Sequence, residues 1–393
     1  MKIAFVGLGA MGLPMARRLH EDFELALFDL SASRLAEARG LGRHATSVAD
    51  AARDADAVFT VLPADAHVEA VAGELESVGR AGLAFVDFST IAPRTIERVA
   101  ARLGKVGIET VSVAITRGTA AARTGELALF VGGEPRPGLE PAFRSVATEI
   151  RRVGGLGAAK AVKIGNNIVV ACIDVAICEV LVLGRKLGLT AEEIVATLEA
   201  ESASWALRNH IVKHVLTDDL GPGGFSTTHM AKDVRLFIDL AREHGLSAPL
   251  AGIASSSYRG TIAAGFGDDY HPVVIRWLEQ GAACGSETDR DGDRSQLSLL
   301  AAAVSAAQLI TTRESLTVLR AAGIAPAEAA AHLESGSGEN DSLSLVRDQL
   351  ERGEALPVHL AAHLAAAIEL ADVVHVPVAL LEAARHAALR PNG

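Results

Sequence analysis

The hexapeptide Gly7-Leu8-Gly9-Ala10-Met11-Gly12 constrains this chain more than any other feature, because three glycines in that spacing suit few local structures. An apolar run at 2–6 precedes it and a helix-periodic stretch at 11–20 follows. In that context Gly7 permits a tight turn out of a strand, Gly9 lets a ligand approach the backbone, and Gly12 lets helix and strand pack closely. The start of the helix then offers unpaired N–H groups and a positive dipole end, which together suit a pyrophosphate. Asp29 closes the next apolar run, 24–28, where a carboxylate can accept hydrogen bonds from both hydroxyls of an adenosine ribose and repel a 2′-phosphate. Leu30 follows it rather than an arginine, although Arg34 is a nearby cation that works against the preference. The expectation is NAD rather than NADP, held by Gly7, Leu8, Gly9, Ala10, Met11, Gly12 and Asp29.

Further apolar runs at 57–62, 84–88, 109–113 and 127–131 alternate with helical patterns such as 33–39 and 94–103. Strands alternating with helices imply βαβ units, so residues 1–154 should form an α/β domain with a mainly parallel, doubly wound sheet. Beyond 155 the spacing turns helical. Residues 157–186 read as one helix of about 45 Å at about 1.5 Å per residue. Gly188-Leu189-Thr190 ends it, and Thr190 before Ala191-Glu192-Glu193 reads as an N-cap. Residues 155–281 are therefore expected to be an all-α domain.

Charge and cysteine content narrow the setting. The 393 residues carry 37 Lys and Arg against 48 Asp and Glu, a net charge of −11 that argues against a nucleic-acid partner. Cys172, Cys178 and Cys284 cannot build a disulfide framework and show no metal-ligand spacing, so no metal and a reduced cytoplasmic setting are expected. No signal-peptide pattern opens the chain. The most apolar stretch, 168–183, is interrupted by Asp174 and Glu179, so no membrane span is expected.

Several blocks then occur in a specific order. The glycine hexapeptide continues into Leu13-Pro14-Met15-Ala16; Val61-Leu62-Pro63 and Val86-Asp87-Phe88-Ser89-Thr90-Ile91-Ala92-Pro93 follow; 155–167 ends in Lys163-x-x-Asn166-Asn167; and Lys232-Asp233 precedes an apolar helix. Together they resemble the β-hydroxyacid dehydrogenase family, which contains 3-hydroxyisobutyrate dehydrogenase and is related to 6-phosphogluconate dehydrogenase. The resemblance covers residues 1 to about 280. It implies that Leu62, Pro63 and Thr90 line the cofactor, that Lys232 reaches over its nicotinamide end, and that Lys163 and Asn167 act on the substrate. Leu62, Pro63 and Thr90 do follow apparent strand C-termini, where open α/β sheets place ligands. Lys163 and Asn167, four apart on a helix, project from one face. A lysine whose pKa is lowered by burial can take a hydroxyl proton as hydride leaves, and return it in reverse. Asn167 can both donate and accept, which orients a substrate without changing charge. Asn166 points elsewhere and is expected to be structural.

One block departs. The family carries Asp-x-Pro-Val-Ser-Gly-Gly where this chain has Ser112-Val113-Ala114-Ile115-Thr116-Arg117-Gly118. Thr116 and Gly118 keep part of the capacity to hold a substrate carboxylate, and Arg117, in place of a glycine, offers a fork for an acidic group. A small acidic substrate is the expected partner. The reading is an NAD-dependent oxidoreductase that transfers a hydride between a small β-hydroxyacid, or its semialdehyde, and the nicotinamide, with Lys163 as general acid/base. A decarboxylating 6-phosphogluconate-type enzyme uses a glutamate seven residues after the lysine, where this chain has Val170. Imine reductases characteristically replace the lysine, and a non-catalytic NAD-binding scaffold would be free to lose Lys163 or Gly9; both residues are present.

Residues 282–294 are polar and glycine-bearing, a linker pattern. The remainder, 295–393, reads as a worn copy of the first helical module. Leu183-Gly184-Arg185-Lys186-Leu187-Gly188 parallels Val318-Leu319-Arg320-Ala321-Ala322-Gly323, Glu179 parallels Glu314, and Ala248-Pro249-Leu250 parallels Val376-Pro377-Val378. Ser298 and Ala302 stand where Lys163 and Asn167 would be, so the copy has lost the chemistry. Relatives with one module resemble dimers with interlocked helical domains. This chain is accordingly expected to be a pseudo-dimer within itself, or a homodimer capped by the copy.

Overall fold

The computed structural model describes residues 1–284 and 291–390 and divides into two compact units, Met1–Lys163 and Ile164–Gly393. Part of the expected linker, 285–290, lies outside the described residues. The first unit holds β1 (Lys2–Val6), β2 (Glu24–Phe28), β3 (Arg43–His44), β4 (Ala57–Thr60), β5 (Ala84–Asp87), β6 (Glu109–Thr116), β7 (Leu127–Gly132) and β8 (Ala147–Arg152). They form one sheet in the order β3-β2-β1-β4-β5-β6-β7-β8. Every pair from β3 to β6 is parallel, β6 and β7 are antiparallel, and β7 and β8 are parallel to each other.

Helices cover both faces, so the central strands are buried without alternation. Ile3 and Phe5 of β1 enter one core with Phe59, Val86 and Phe143, while Ala4 and Val6 enter the other with Val58, Phe85 and Val99. Strand order reverses between β1 and β4, which opens a crevice at their C-terminal ends. The glycine hexapeptide, Leu62-Pro63 and Thr90 all follow strands at that edge.

The second unit is built on two long helices, Leu156–Lys186, which begins in the first unit, and Leu297–Ala321. By length and composition alone, Leu156–Lys186 and Arg294–Ala321 could cross a membrane, contrary to the sequence expectation. In the fold they are core helices: the apolar stretch of the first is 100% buried and that of the second 61%. Asp174 and Glu179 do not interrupt the first helix, because each finds buried partners. The His210 ring Nδ1 lies 2.8 Å from the Asp174 carboxylate, and Glu179 accepts from the Leu380 and Leu381 N–H groups at 2.8 and 3.2 Å.

The two long helices cross antiparallel, with Gly165 against Leu319 and Gly184 close to Leu300. A Cβ at Gly165 would lie 2.7 Å from the Leu319 side chain, so a larger residue there would push Leu319 out of its place. The first helix ends at Lys186 and the next begins at Ala191; the second ends at Ala321 and the next begins at Pro326, the same spacing. Thr190 is the N-cap of its helix, in a capping box with Glu193. The parallel between Glu179 and Glu314 has a structural meaning. Glu179, on the first long helix, caps the start of Ala379–Ala388 in the second module, and Glu314, on the second, accepts from Leu250 and Ala251 at the start of Pro249–Ala263 at 3.1 and 3.0 Å. Each module thus caps a helix of the other.

Candidate cofactor and catalytic sites

The glycine hexapeptide forms a cradle whose shape excludes side chains at two positions. Gly7 has φ +95°, and a Cβ there would lie 2.3 Å from the Val61 carbonyl oxygen. A Cβ at Gly12 would lie 1.9 Å from the Gly7 carbonyl oxygen, so the helix Gly12–Leu19 could not sit this close to the turn with any other residue. At Gly9 the nearest atom to such a Cβ is in the Arg34 guanidinium, 2.9 Å away, a flexible neighbour. Leu8, Gly9, Ala10, Leu13, Arg17 and Arg34 line the open groove beside the turn.

Asp29 is held rather than merely nearby. Its Oδ2 accepts from the Leu8 N–H at 2.7 Å and its Oδ1 from the Ser31 N–H at 2.8 Å. Each oxygen keeps a second lone pair for a ribose hydroxyl. Leu30 beside it is 86% exposed, so no local cation pairs with the carboxylate from that position. A cradle that Cβ atoms would fill and a fixed carboxylate at the end of β2 fit an NAD adenosine and pyrophosphate.

A buried polar hub sets the turns after β4 and β5. Asp87 Oδ1 accepts from the Thr60 hydroxyl at 2.7 Å and the Ser89 hydroxyl at 2.6 Å, and Ser89 Oγ accepts from the Leu62 N–H at 2.8 Å. Lys160 Nζ lies 2.8 Å from Asp87 Oδ2 and donates to the Asp87 and Val113 carbonyls at 2.8 and 3.1 Å. Both charges are fully buried. The hub thereby anchors Leu62-Pro63 and the segment leading to half-buried Thr90. Sequence reasoning missed Lys160; its one signal was a second lysine in an otherwise apolar helix, three residues before Lys163.

Thr116 ends β6 and is buried, and Gly118, at φ +76°, starts the helix Gly118–Thr124. Arg117 between them has φ +79°, the left-handed region that glycine tolerates best. Its guanidinium pairs with Glu149 and donates to the Thr148 hydroxyl at 3.3 Å and the Glu126 carbonyl at 3.2 Å. The fork expected to meet an acidic substrate is thus engaged within the sheet edge.

Lys163 is half-buried on the continuous helix Leu156–Lys186, one turn before Asn167. Asn167 is buried, and its Nδ2 donates to Asp233 Oδ2 at 2.6 Å; Asp233 Oδ1 lies 3.0 Å from Lys232 Nζ. Asp233, visible in the sequence only as the residue after Lys232 ahead of an apolar helix, is 1% exposed and tied to Asn167. Asn166 donates to Asn167 Oδ1 at 3.1 Å. Further along the helix, Asp174, His210 and His271 place their donor atoms within 4.8 Å of one another, a grouping that no sequence spacing revealed. Burial pushes the His271 imidazole down to about 4, and although burial alone would raise it, the imidazoles of His210 and His271 hold the Asp174 carboxyl below its usual range.

The sheet order, glycine cradle and fixed acidic residue define a dinucleotide-binding protein of the Rossmann type, with a helical unit following in the chain. Two family models match in tandem: the NAD binding domain of 6-phosphogluconate dehydrogenase over residues 2–155, and the NAD-binding of NADP-dependent 3-hydroxyisobutyrate dehydrogenase over 157–278. The chain is 32% identical over 290 residues to 2-(hydroxymethyl)glutarate dehydrogenase of Eubacterium barkeri, covering 71% of this chain and 95% of that protein. It is 31% identical over 292 residues to an NAD-dependent L-serine dehydrogenase of Pseudomonas aeruginosa, covering 71% and 98%. A solved structure of Mycobacterium tuberculosis 3-hydroxyisobutyrate dehydrogenase with L-serine superposes with a TM-score of 0.66 at 30% identity, over 70% of this chain and 98% of that one. The chain belongs to the β-hydroxyacid dehydrogenase family related to 6-phosphogluconate dehydrogenase, and is an NAD-dependent oxidoreductase of small hydroxyacids. Plasmodium falciparum 6-phosphogluconate dehydrogenase covers 98% of the chain with a TM-score of 0.70 at 13% identity, a likeness of fold that includes the second helical module.

Proposed function

We propose that the substrate is an acid with a primary alcohol on the carbon next to the one bearing the carboxylate, and that Lys163 is the general acid/base. The observation that carries this is Asn167, one helical turn beyond Lys163, its amide locked by buried Asp233. The acids named in the relatives above, 2-(hydroxymethyl)glutarate and serine, share that alcohol and carboxylate, as does 3-hydroxyisobutyrate. Gly7–Gly12, Asp29, Leu62-Pro63, Thr90 and Lys232 would hold NAD, which when bound supplies the hydride acceptor or donor. Lys163 takes the hydroxyl proton in oxidation and returns it to the aldehyde oxygen in reduction. Asn167 offers its remaining N–H and lone pair to fix the alcohol. The Thr116 hydroxyl and the Gly118 backbone hold the carboxylate, while Arg117, bound to Glu149, serves the fold.

Following NADH absorbance with 3-hydroxyisobutyrate, L-serine and 2-(hydroxymethyl)glutarate tests the substrate class. Turnover of at least one is expected, and Lys163→Ala should reduce it by about 10²–10⁴-fold while NADH affinity stays near native. No turnover of any of the three refutes the class; a Lys163→Ala variant within a few-fold of native removes that lysine from its role.

We also infer that the second module takes, within one chain, the place of a partner subunit's helices. The reciprocal caps of Glu179 and Glu314 and the glycine-mediated crossing of the two long helices support this.

A further inference from the structure

A side-chain amide can be turned end for end, exchanging donor and acceptor, and only its partners decide which end faces where. Asn166 has partners from the second module. The backbone N–H of Gly338 lies 2.8 Å from Asn166 Oδ1, and a backbone donor requires an oxygen there. The two hydrogens on Asn166 Nδ2 then go to Ser337 Oγ at 2.8 Å and to Asn167 Oδ1 at 3.1 Å. Because a donor faces it, Asn167 must present its oxygen to Asn166 and its nitrogen to Asp233, whose Oδ2 accepts at 2.6 Å. The Asp233 carboxylate independently requires a donor, so both ends of the chain of bonds demand the same orientation.

The loop that does this is built for it. A Cβ at Gly336 would lie 2.5 Å from Asn166 Oδ1, and one at Gly338 would lie 3.1 Å from it, so two glycines let the backbone close around the amide. The loop is fastened to the first module: the Trp205 N–H donates to the Glu339 carbonyl at 2.9 Å and the Asp341 N–H to the Ala203 carbonyl at 3.2 Å. Asn340 Nδ2 donates to the Gly338 carbonyl at 2.9 Å, which stiffens the turn. Asn166 and Asn167 are 0% and 4% exposed, so bulk water does not compete for these bonds.

We propose that the loop 335–340 of the second helical module is a positioning element of the reaction, with Ser337 and Gly338 fixing, through Asn166, the polarity of the Asn167 amide offered to the substrate. This rests on the reading of Asn167 as a substrate-orienting residue. The copy that lost its own lysine and asparagine thereby retains a part in the chemistry of the first module.

Ser337→Ala and Ser337→Thr in the full chain separate positioning from packing. With the acid among 3-hydroxyisobutyrate, L-serine and 2-(hydroxymethyl)glutarate that the native protein oxidises, Ser337→Ala should lower kcat/KM about tenfold, from loss of one hydrogen bond. NADH affinity, by fluorescence titration, should stay within twofold, and Ser337→Thr, which keeps the hydroxyl, should restore most of the rate. A readout free of activity comes from ¹⁵N-asparagine labelling, since the chain has only Asn166, Asn167, Asn209, Asn340 and Asn392. The side-chain amide pair of Asn167, assigned with Asn167→Asp, should shift in Ser337→Ala although Ser337 bonds Asn166 and not Asn167. Unchanged kcat/KM in Ser337→Ala overturns the proposal, as do equal losses in the Ala and Thr variants. If the native protein oxidises none of the acids, the substrate reading falls by itself, and the Asn167 amide then decides: a shift supports the positioning role and no shift overturns it.

Discussion

Replacing Glu179 and Glu314 together by glutamine should flatten a fall in stability that the native protein shows between about pH 6.5 and about pH 8.5. Burial pushes the Glu179 carboxyl up to about 8 against the lowering effect of the Leu380 and Leu381 N–H groups, and Glu382 adds to the rise. Burial likewise takes Glu314 up to about 7 against the Ala251 and Leu250 N–H groups. The folded state therefore keeps protons that the unfolded chain releases above its usual carboxylate value of 4.5. The resulting stability is fully present below that value and is lost as pH rises through about 7 and then about 8. At about 1.4 kcal/mol per unit, Glu179 alone accounts for about 2 kcal/mol above pH 6.5. Glu314 is only partly buried by surface area, and with a value of about 7 its share above pH 6.5 stays below about 1 kcal/mol. His271, depressed to about 4, contributes stability that is present above 6.5 and lost as pH falls, which lies outside this window. Urea unfolding at several pH values measures the slope. A double Glu→Gln variant as steep as the native protein refutes the assignment of this stability to the two caps.

Three shorter expectations follow from the site. Asp29→Ala with Leu30→Arg should raise the ratio of kcat/KM for NADP over NAD, and it should also weaken NAD itself by about tenfold because the Leu8 N–H loses its acceptor; a native protein that prefers NADP contradicts this. Lys163→Ala should reduce turnover by about 10²–10⁴-fold and spare NADH binding, as set out above. Arg117→Gly should leave stability within about 1 kcal/mol, because relief of a left-handed backbone offsets a partly exposed ion pair with Glu149. It should leave kcat/KM within about threefold, and a loss of about a hundredfold would show that Arg117 meets substrate after all.

What could be read from sequence was what local chemistry enforces. Gly7 and Gly12 were legible because no other residue fits their contacts, and Thr190 because an N-cap announces itself within four residues. The matching helix punctuation of the two modules was legible, and the reason Glu179 and Glu314 stand at matching places became visible only when each was found capping a helix of the other module. What stayed hidden depends on partners far away in the chain. Lys160 meets Asp87, Asn167 meets Asp233, and Asn166 meets Ser337 and Gly338, separations over which periodicity carries no information. Asn166 was read as structural on the ground that it points away from Lys163, a direction that leads to the second module. The two-residue strand Arg43–His44 escaped because it is short, polar and exposed at the sheet edge.

Truncation after Gln280 is the sharpest test of the second module. The remaining chain would still contain every residue matched by the two family models, which end at 278. It would nonetheless lose the Leu380 and Leu381 donors on Glu179, the Glu314 acceptor for Leu250 and Ala251, and the Ser337 and Gly338 contacts of Asn166. Each such hydrogen bond is worth about 1 kcal/mol, and a buried carboxyl group left without its donors costs about 1–3 kcal/mol more. The glycine face at 165, now against Leu319, would be bare on a helix whose apolar stretch is otherwise wholly buried. The summed loss is comparable with the 5–15 kcal/mol that holds a typical domain together, about enough to unfold it unless a second copy covers the exposed face. The truncated protein should therefore be unfolded or aggregated when dilute, or associate into dimers whose stability rises with concentration. Size-exclusion chromatography with multi-angle scattering and thermal unfolding at several concentrations distinguish these states. A truncated monomer as stable and as active as the full chain would show the second module to be an independent attachment, and the reciprocal caps to be incidental.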